Sequence, residues 1–188
     1  MVFASIPWLA LSLAAASAPS TLPLYLSISS SPTSPCFPCE GPTFVGDKTL
    51  YVWFGYDHFE EIAFDFVGTF ALVDFLPAPG VVNVGGVLSP VLVPDGSDCS
   101  ADDMTLLGEV TVRDETGAGG AVWVEHSSST SRLCFRECQQ DGWFRFEYYG
   151  YSTDGTHPKG VDTSPDCRSV SVDGVTWGRV KARYRRSG

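Results

Sequence analysis

Residues 62–75 read IAFDFVGTFALVDF, and this stretch decides the fold class. Apolar side chains occupy alternate positions, which places them on one face of an extended chain: Ile62, Phe64, Phe66, Phe70 and Leu72. A period of two is that of a β-strand with one face in a core, not that of a helix. Gly68 interrupts the run and indicates a bulge or a sharp bend. The segment is therefore predicted to form two strands, or one strand that crosses between sheets.

Further short strands are predicted on both sides of this segment. Each is bounded by Gly, Pro, Asp or Ser clusters that favour turns. They cover residues 49–54, 81–84, 90–93, 106–113, 121–125, 132–135, 143–149 and 176–184, and residues 101–106 are a candidate for a helical turn. About nine strands with no helix between them predict an all-β fold, an antiparallel β-sandwich of immunoglobulin-like or jelly-roll topology.

The start of the chain has the composition of an export signal. Residues 1–35 contain no Asp, Glu, Lys or Arg, residues 8–16 are apolar, and small residues end that run. This pattern predicts a signal peptide over 1–16, and its apolar core is too short to span a membrane. Residues 17–35 are rich in Ser, Pro and Thr, which favours a flexible linker, with an ordered strand as the alternative. Residues 36–188 are then one domain of a secreted or extracytoplasmic protein.

The charge distribution excludes nucleic acid as a partner. The net charge is −10, and five of the twelve basic residues lie in the last ten positions. The rest of the domain is therefore strongly acidic and repels phosphates. The basic residues of the tail alternate with uncharged ones, which indicates the solvated face of the predicted strand 176–184.

Six cysteines in a chain with an export signal predict three disulfides. They are Cys36, Cys39, Cys99, Cys134, Cys138 and Cys167. One alternative is a zinc site formed by the two closely spaced pairs, 36 with 39 and 134 with 138. Another is a thioredoxin-like redox pair in the sequence CFPC, although no helix is predicted to follow it.

No catalytic constellation is recognisable, so the chain is predicted not to be an enzyme and no catalytic residue is assigned. His58, His126 and His157 lie in separate segments, and neither HExxH nor a Gly-x-Ser-x-Gly elbow is present. Glu60 and Glu61 are adjacent, so on a strand they point to opposite faces. A hydrolase with a cryptic carboxylate pair remains an alternative, and it would need two acids converging in a cleft.

Two sets of residues are candidates for ligand binding. Tyr56, His58 and Tyr151 are predicted in turns, where exposed rings could stack on sugars. A second set is a group of carboxylates in a Gly/Ser loop, which could hold calcium: Asp95, Asp98, Asp102 and Asp103. The alternative for this second set is a solvated acidic loop held by Cys99. No other cofactor is expected.

Three stretches together carry a family resemblance. They are TLYVWF at 49–54, the alternating segment at 62–75, and LLGEVTVRDETGAGGAVWV at 106–124. Over residues 49–124 the chain resembles the cohesin and carbohydrate-binding-module type of β-sandwich found in bacterial secreted proteins. This resemblance implies a non-catalytic module. The prediction is a secreted or cell-surface binding or structural module for protein–protein or surface assembly. A carbohydrate-binding module is the alternative, so the expected partner is a protein or a glycan at a cell surface.

Overall fold

The computed structural model describes residues 25–55, 58–96, 99, 104–125, 127, 134–137 and 143–161. Within these ranges the chain forms strands and irregular segments but no helix, so the all-β prediction is confirmed. Two of the strands have only two residues. The strands are β1 (Tyr25–Ser29), β2 (Cys39–Glu40), β3 (Gly46–Gly55), β4 (Phe59–Ala63), β5 (Asp65–Gly68), β6 (Ala71–Pro77), β7 (Val81–Asn83), β8 (Val91–Pro94), β9 (Met104–Asp114), β10 (Ala121–Glu125), β11 (Cys134–Glu137), β12 (Trp143–Arg145), β13 (Glu147–Tyr149), β14 (Tyr151–Ser152) and β15 (Lys159–Val161).

The strands form three sheets. The largest has six strands in the order β15, β13, β1, β3, β9, β6, and its longest pairing joins β3 to β9 from Gly46 and Asp114 at one end to Gly55 and Met104 at the other. A sheet of five strands has the order β12, β11, β4, β8, β7, and a sheet of four strands has the order β2, β14, β10, β5.

The segment that decides the fold class contributes to all three sheets. It forms the end of β4 in the five-stranded sheet, then β5 in the four-stranded sheet, then most of β6 in the six-stranded sheet. Two strands, or one strand that crosses between sheets, were predicted; the segment instead contributes to three strands and changes sheet twice. Ile62, Phe64, Phe66 and Phe70 are all buried. Gly68 packs so closely on the backbone of β10 that a larger side chain would collide with it.

A single hydrophobic core lies between the three sheets. Its members come from every sheet, including Leu26 and Val110 of the six-stranded sheet, Ile62 of the five-stranded sheet and Val124 of the four-stranded sheet. The ring of Phe54 contacts the rings of Phe59 and Phe146 edge to face, and its centroid lies 5.9 and 6.0 Å from theirs. Burial of one such side chain contributes about 1.5–3 kcal/mol to folding.

The predicted linker over 17–35 is wrong for residues 25–29, which form β1. This strand lies inside the six-stranded sheet, parallel to β13 and antiparallel to β3. All five of its residues are buried. The prediction failed because serine-rich composition is typical of linkers, whereas Ser27 and Ser29 are buried here. Their hydroxyls donate to the carbonyls of Cys36 and Ser34, each at 2.9 Å.

Two further expectations about the strands need correction. The sheets are not purely antiparallel, because β1 with β13 and β14 with β2 are parallel pairs. Residues 104–106 of the predicted helical turn belong to β9, where they pair with β3. The predicted strand 176–184 and the predicted signal peptide 1–16 lie outside the described residues. Among the residues described, no helix has the length and apolar composition needed to cross a membrane.

For one disulfide, both cysteines lie among the described residues. Cys36 and Cys39 are bonded to each other, with their Cα atoms 5.2 Å apart, and Cys99 is also disulfide-bonded. The bond between Cys36 and Cys39 removes both as thiolate ligands, so the alternative zinc site is not formed. The side chain of Cys134, and all of Cys138 and Cys167, lie outside the described residues.

Candidate functional site

Of the predicted set of Tyr56, His58 and Tyr151, the structure describes the last two. Tyr151 is fully buried, so its assignment as an exposed ligand-binding ring is wrong. The physical reason is that it belongs to β14, which lies between β2 and β10. Lys48 Nζ donates to its hydroxyl at 2.6 Å and lies 4.8 Å from the centre of its ring. His58 is only partly exposed, and Tyr56 lies outside the described residues.

The calcium prediction is not tested by the described part of the loop. Asp95 is exposed, and its backbone N–H donates to the carbonyl of Gly80 at 2.9 Å. Asp98, Asp102 and Asp103 lie outside the described residues. In the part of the chain that is described, no three His, Cys, Asp or Glu side chains cluster as a metal ion requires.

A cleft of about 320 Å³ lies where β2 and β14 run side by side. Its lining residues are Glu40, Gly41, Ser152, Thr153 and Gly155. Register places Ser152 next to Glu40, and the N–H of Gly41 donates to the carbonyl of Ser152 at 3.1 Å. The Tyr151 hydroxyl leaves no room for a side chain at position 41.

The lining residues supply one carboxylate, that of Glu40, and two hydroxyls, those of Ser152 and Thr153. The imidazole of His157 pairs with the carboxylate from outside this lining. His157 Nε2 lies 2.7 Å from Glu40 Oε1, and His157 has a φ of 44°, which is unusual for a residue other than glycine. Ser152 is buried, and its Oγ has no hydrogen-bond partner among the described residues. A serine nucleophile needs a hydrogen bond to its base, which this pair does not make. The arrangement is therefore suited to holding a polar ligand.

An exposed aromatic ring lies just before β2, next to the strand that precedes β14. Phe37 is 45% exposed, and its ring centroid lies 4.4 Å from that of Tyr25 and 4.9 Å from that of Tyr149, both edge to face. The Tyr149 hydroxyl donates to Glu147 Oε2 at 2.7 Å. That hydrogen bond raises the pKa of Tyr149 above its usual value. Sequence analysis missed this ring, although a Phe enclosed in a four-residue cysteine loop was the available signal.

A second surface is apolar and lies at the ends of two sheets. Within the described residues β6 ends the six-stranded sheet and β7 ends the five-stranded sheet. Six exposed apolar side chains come from β6, β7 and the turn after β7. We call them the edge surface: Val73, Leu76, Val82, Val84, Val87 and Leu88.

Comparison with known proteins gives no relative: no family model, no curated protein and no solved structure matches this chain. The resemblance to cohesin and carbohydrate-binding modules therefore stays a prediction.

Proposed function

We propose that this chain is an exported, non-catalytic assembly module that binds proteins, further copies of itself included, through the edge surface. The observation that carries the proposal is the concentration of six exposed apolar side chains in residues 73–88, with Leu76 63% exposed. Contiguous exposed apolar surface is typical of a protein interaction site, and the closeness of these six side chains in the chain supports such a surface. Because these side chains are 39–63% exposed, complete burial of each would contribute about 1 kcal/mol before the costs of association.

Contact through side chains fits this edge better than extension of the sheet. Pro77 has no N–H to donate, and the N–H of Phe75 already donates to Asp74 Oδ1 at 2.8 Å. A charged residue and a proline are devices by which natural edge strands avoid pairing with other chains. A partner would therefore pack on Val73, Leu76 and their neighbours without forming a continuous ladder.

We also propose an extracytoplasmic location and a β-sandwich fold for this module. The Cys36–Cys39 bond and the bonded Cys99 support an oxidising, extracytoplasmic environment. The three sheets share one core, which supports a β-sandwich whose third sheet closes one end. In this arrangement β6 and β7 would form a rim that is open to partners.

Sedimentation velocity over a range of protein concentrations tests the proposal. We expect the wild-type protein to associate, and a double variant, Leu76→Glu with Leu88→Glu, to remain monomeric because two carboxylates would have to be buried in the contact. Val45→Glu is the matched control, since Val45 is 74% exposed but lies before β3, outside the edge surface.

Chemical cross-linking in extracts of the producing cell's surface completes the test. We expect the wild type and Val45→Glu to capture the same proteins and the double variant to lose them. A wild-type protein that stays monomeric and captures nothing beyond what the double variant captures would refute the assembly function.

A further inference from the structure

The disulfide between Cys36 and Cys39 joins residues only 3 apart in sequence. A disulfide stabilises a fold mainly by constraining the unfolded chain, and this effect grows with the length of the loop that the bond closes. A bond across so short a loop therefore adds less stability than a bond between distant segments. Two cysteines separated by two residues are instead common where a disulfide opens and closes as part of its function.

We propose that the Cys36–Cys39 bond is a site of reversible thiol–disulfide exchange, which a dithiol reductant opens while the domain stays folded. One thiol of the reductant loses its proton and attacks Sγ of Cys36. A mixed disulfide forms, and the sulfur of Cys39 leaves and takes up a proton. The second thiol of the reductant then attacks its own sulfur in the mixed disulfide and releases Cys36 as a thiol.

The balance of this exchange is two electrons and two protons gained by the protein, while the reductant becomes a disulfide. The site shares no residue with the edge surface, so this chemistry goes beyond the assembly function and is independent of it. An oxidising compartment keeps the bond closed until a dithiol reaches it.

The two cysteines differ in access to solvent. Cys36 is partly exposed, whereas Cys39 is 0% exposed. Phe37 and Pro38, the two residues between them, are exposed, so the loop lies at the surface of the molecule. The rate of exchange depends on which sulfur the attacking thiolate can reach. Attack is therefore expected at Cys36, with Cys39 as the leaving sulfur.

The surroundings of Cys39 already suit a thiol. Its Sγ lies 2.8 Å from the carbonyl oxygen of Cys36 and 3.6 Å from Ser27 Oγ. A disulfide sulfur carries no hydrogen and cannot donate to that carbonyl, whereas the thiol of a reduced Cys39 would donate to it. Cys39 also belongs to the hydrophobic core, where a thiol packs as a small apolar group. The reduced side chain therefore keeps its place.

Contacts other than the disulfide hold the chain on both sides of the loop. After the loop, β2 pairs with β14, and the N–H of Gly41 donates to the carbonyl of Ser152 at 3.1 Å. Before it, Ser27 Oγ donates to the carbonyl of Cys36 at 2.9 Å. These backbone anchors do not depend on the sulfur–sulfur bond. Opening the bond therefore frees the loop and leaves the sheets intact.

Redox titration of the full-length, oxidised protein tests the site. The protein is equilibrated with mixtures of reduced and oxidised dithiothreitol, free thiols are alkylated, and mass spectrometry locates them. Cys99, which is also disulfide-bonded, is the internal control. We expect Cys36 and Cys39 to be alkylated together at a ratio of reduced to oxidised reagent roughly tenfold below the ratio that opens the bond of Cys99.

Thermal melts of the partly reduced protein measure what the bond contributes to the fold. Because the loop is short, opening it should lower the melting temperature by only about 4–8 °C, and the transition should stay cooperative. Excess oxidised dithiothreitol should restore both the bond and the original melting temperature.

Two single variants distinguish the two sulfurs. Cys39→Ser leaves the thiol of Cys36, and Cys36→Ser leaves the thiol of Cys39. With an aromatic disulfide that releases a coloured thiolate, the thiol of Cys36 should react roughly tenfold faster, because Cys39 is buried. Thermal melts confirm that each variant is folded, and the titration of the wild type decides the question without them.

Three results would each overturn the proposal. The first is a Cys99 bond that opens at the same ratio as the Cys36–Cys39 bond or at a lower one. The second is loss of the cooperative melt once Cys36 and Cys39 are reduced. The third is a Cys39 thiol that reacts as fast as the thiol of Cys36.

Discussion

At the scale of single residues, Asp114 shows how one carboxylate can order a loop. It is 7% exposed, and its oxygens accept the N–H groups of Thr116, Gly117 and Gly119 at 2.9–3.0 Å. These bonds, with that from Gly119 the largest contribution, hold the pKa of Asp114 below its usual value of 3.8. Gly117 and Gly119 have φ values of 72° and 84°, which other residues rarely adopt. The glycine-rich turn predicted from the sequence is therefore organised by the aspartate before it.

Asp114→Asn should lower the melting temperature at pH 7, because the neutral amide accepts these N–H groups less strongly than the carboxylate does. Since the folded-state pKa is lowered, the stabilisation is complete above the unfolded value of 3.8 and is lost as pH falls through the folded value. The difference in melting temperature between the wild type and the variant should therefore shrink below about pH 4. Differential scanning calorimetry at pH 7 and pH 3 measures this difference in melting temperature. The exposed neighbour variant Glu115→Gln is the control; an equal loss in that variant would contradict this account.

At the scale of elements, the strand that was hardest to predict is one of the best buried. β1 is short, and two of its five residues are serines, so its composition resembles a linker. Its place between β13 and β3 nevertheless buries Leu26 and Ile28 completely. The hydroxyls of its serines are satisfied by backbone carbonyls of the following loop. A polar residue in a strand interior is thus acceptable when another part of the chain supplies its partner.

Ile28→Ala should lower the free energy of unfolding by about 2–5 kcal/mol, as truncation of a buried aliphatic side chain does. Chemical denaturation measures the change. Ser30→Ala, at the exposed position directly after β1, should leave it nearly unchanged. If β1 were a linker, both variants would unfold as the wild type does.

At the scale of the whole molecule, a strongly acidic chain exposes the six apolar side chains of the edge surface. The net charge of −10 opposes contact between copies at low ionic strength, whereas the proposed association would bury the edge surface. Salt screens the repulsion beyond about 10 Å at 0.1 M and leaves apolar contacts in place. The balance between the two forces is therefore set by ionic strength.

Self-association through the edge surface should strengthen severalfold when sodium chloride is raised from roughly 0.02 M to roughly 0.5 M. Sedimentation at both concentrations measures the change in dissociation constant. The Leu76→Glu, Leu88→Glu double variant should stay monomeric at both. Association that weakens with salt would instead indicate a contact between complementary charges.

Local patterns were enough to predict most of the strands. Residues 49–54, 81–84, 106–113 and 121–125 all lie in or largely in observed strands, because alternation and turn residues act between near neighbours. The candidate site was harder to predict. Tyr151 follows a glycine and was placed in a turn, whereas its pairing with Cys39, far away in sequence, makes it a buried strand residue.

The sequence by itself determined the all-β class and the use of Cys36, Cys39 and Cys99 in disulfides, and it indicated a break within residues 62–75 without deciding that they enter three sheets. Each of these follows from side-chain periodicity or residue type. Only the tertiary structure decided that 25–29 is an interior strand, that Phe37 is exposed and that Glu40, Ser152 and His157 meet. These outcomes depend on pairings between segments more than 100 residues apart, such as 37–41 with 149–155. Long-range pairing reflects how the whole core is filled, and no local pattern records it.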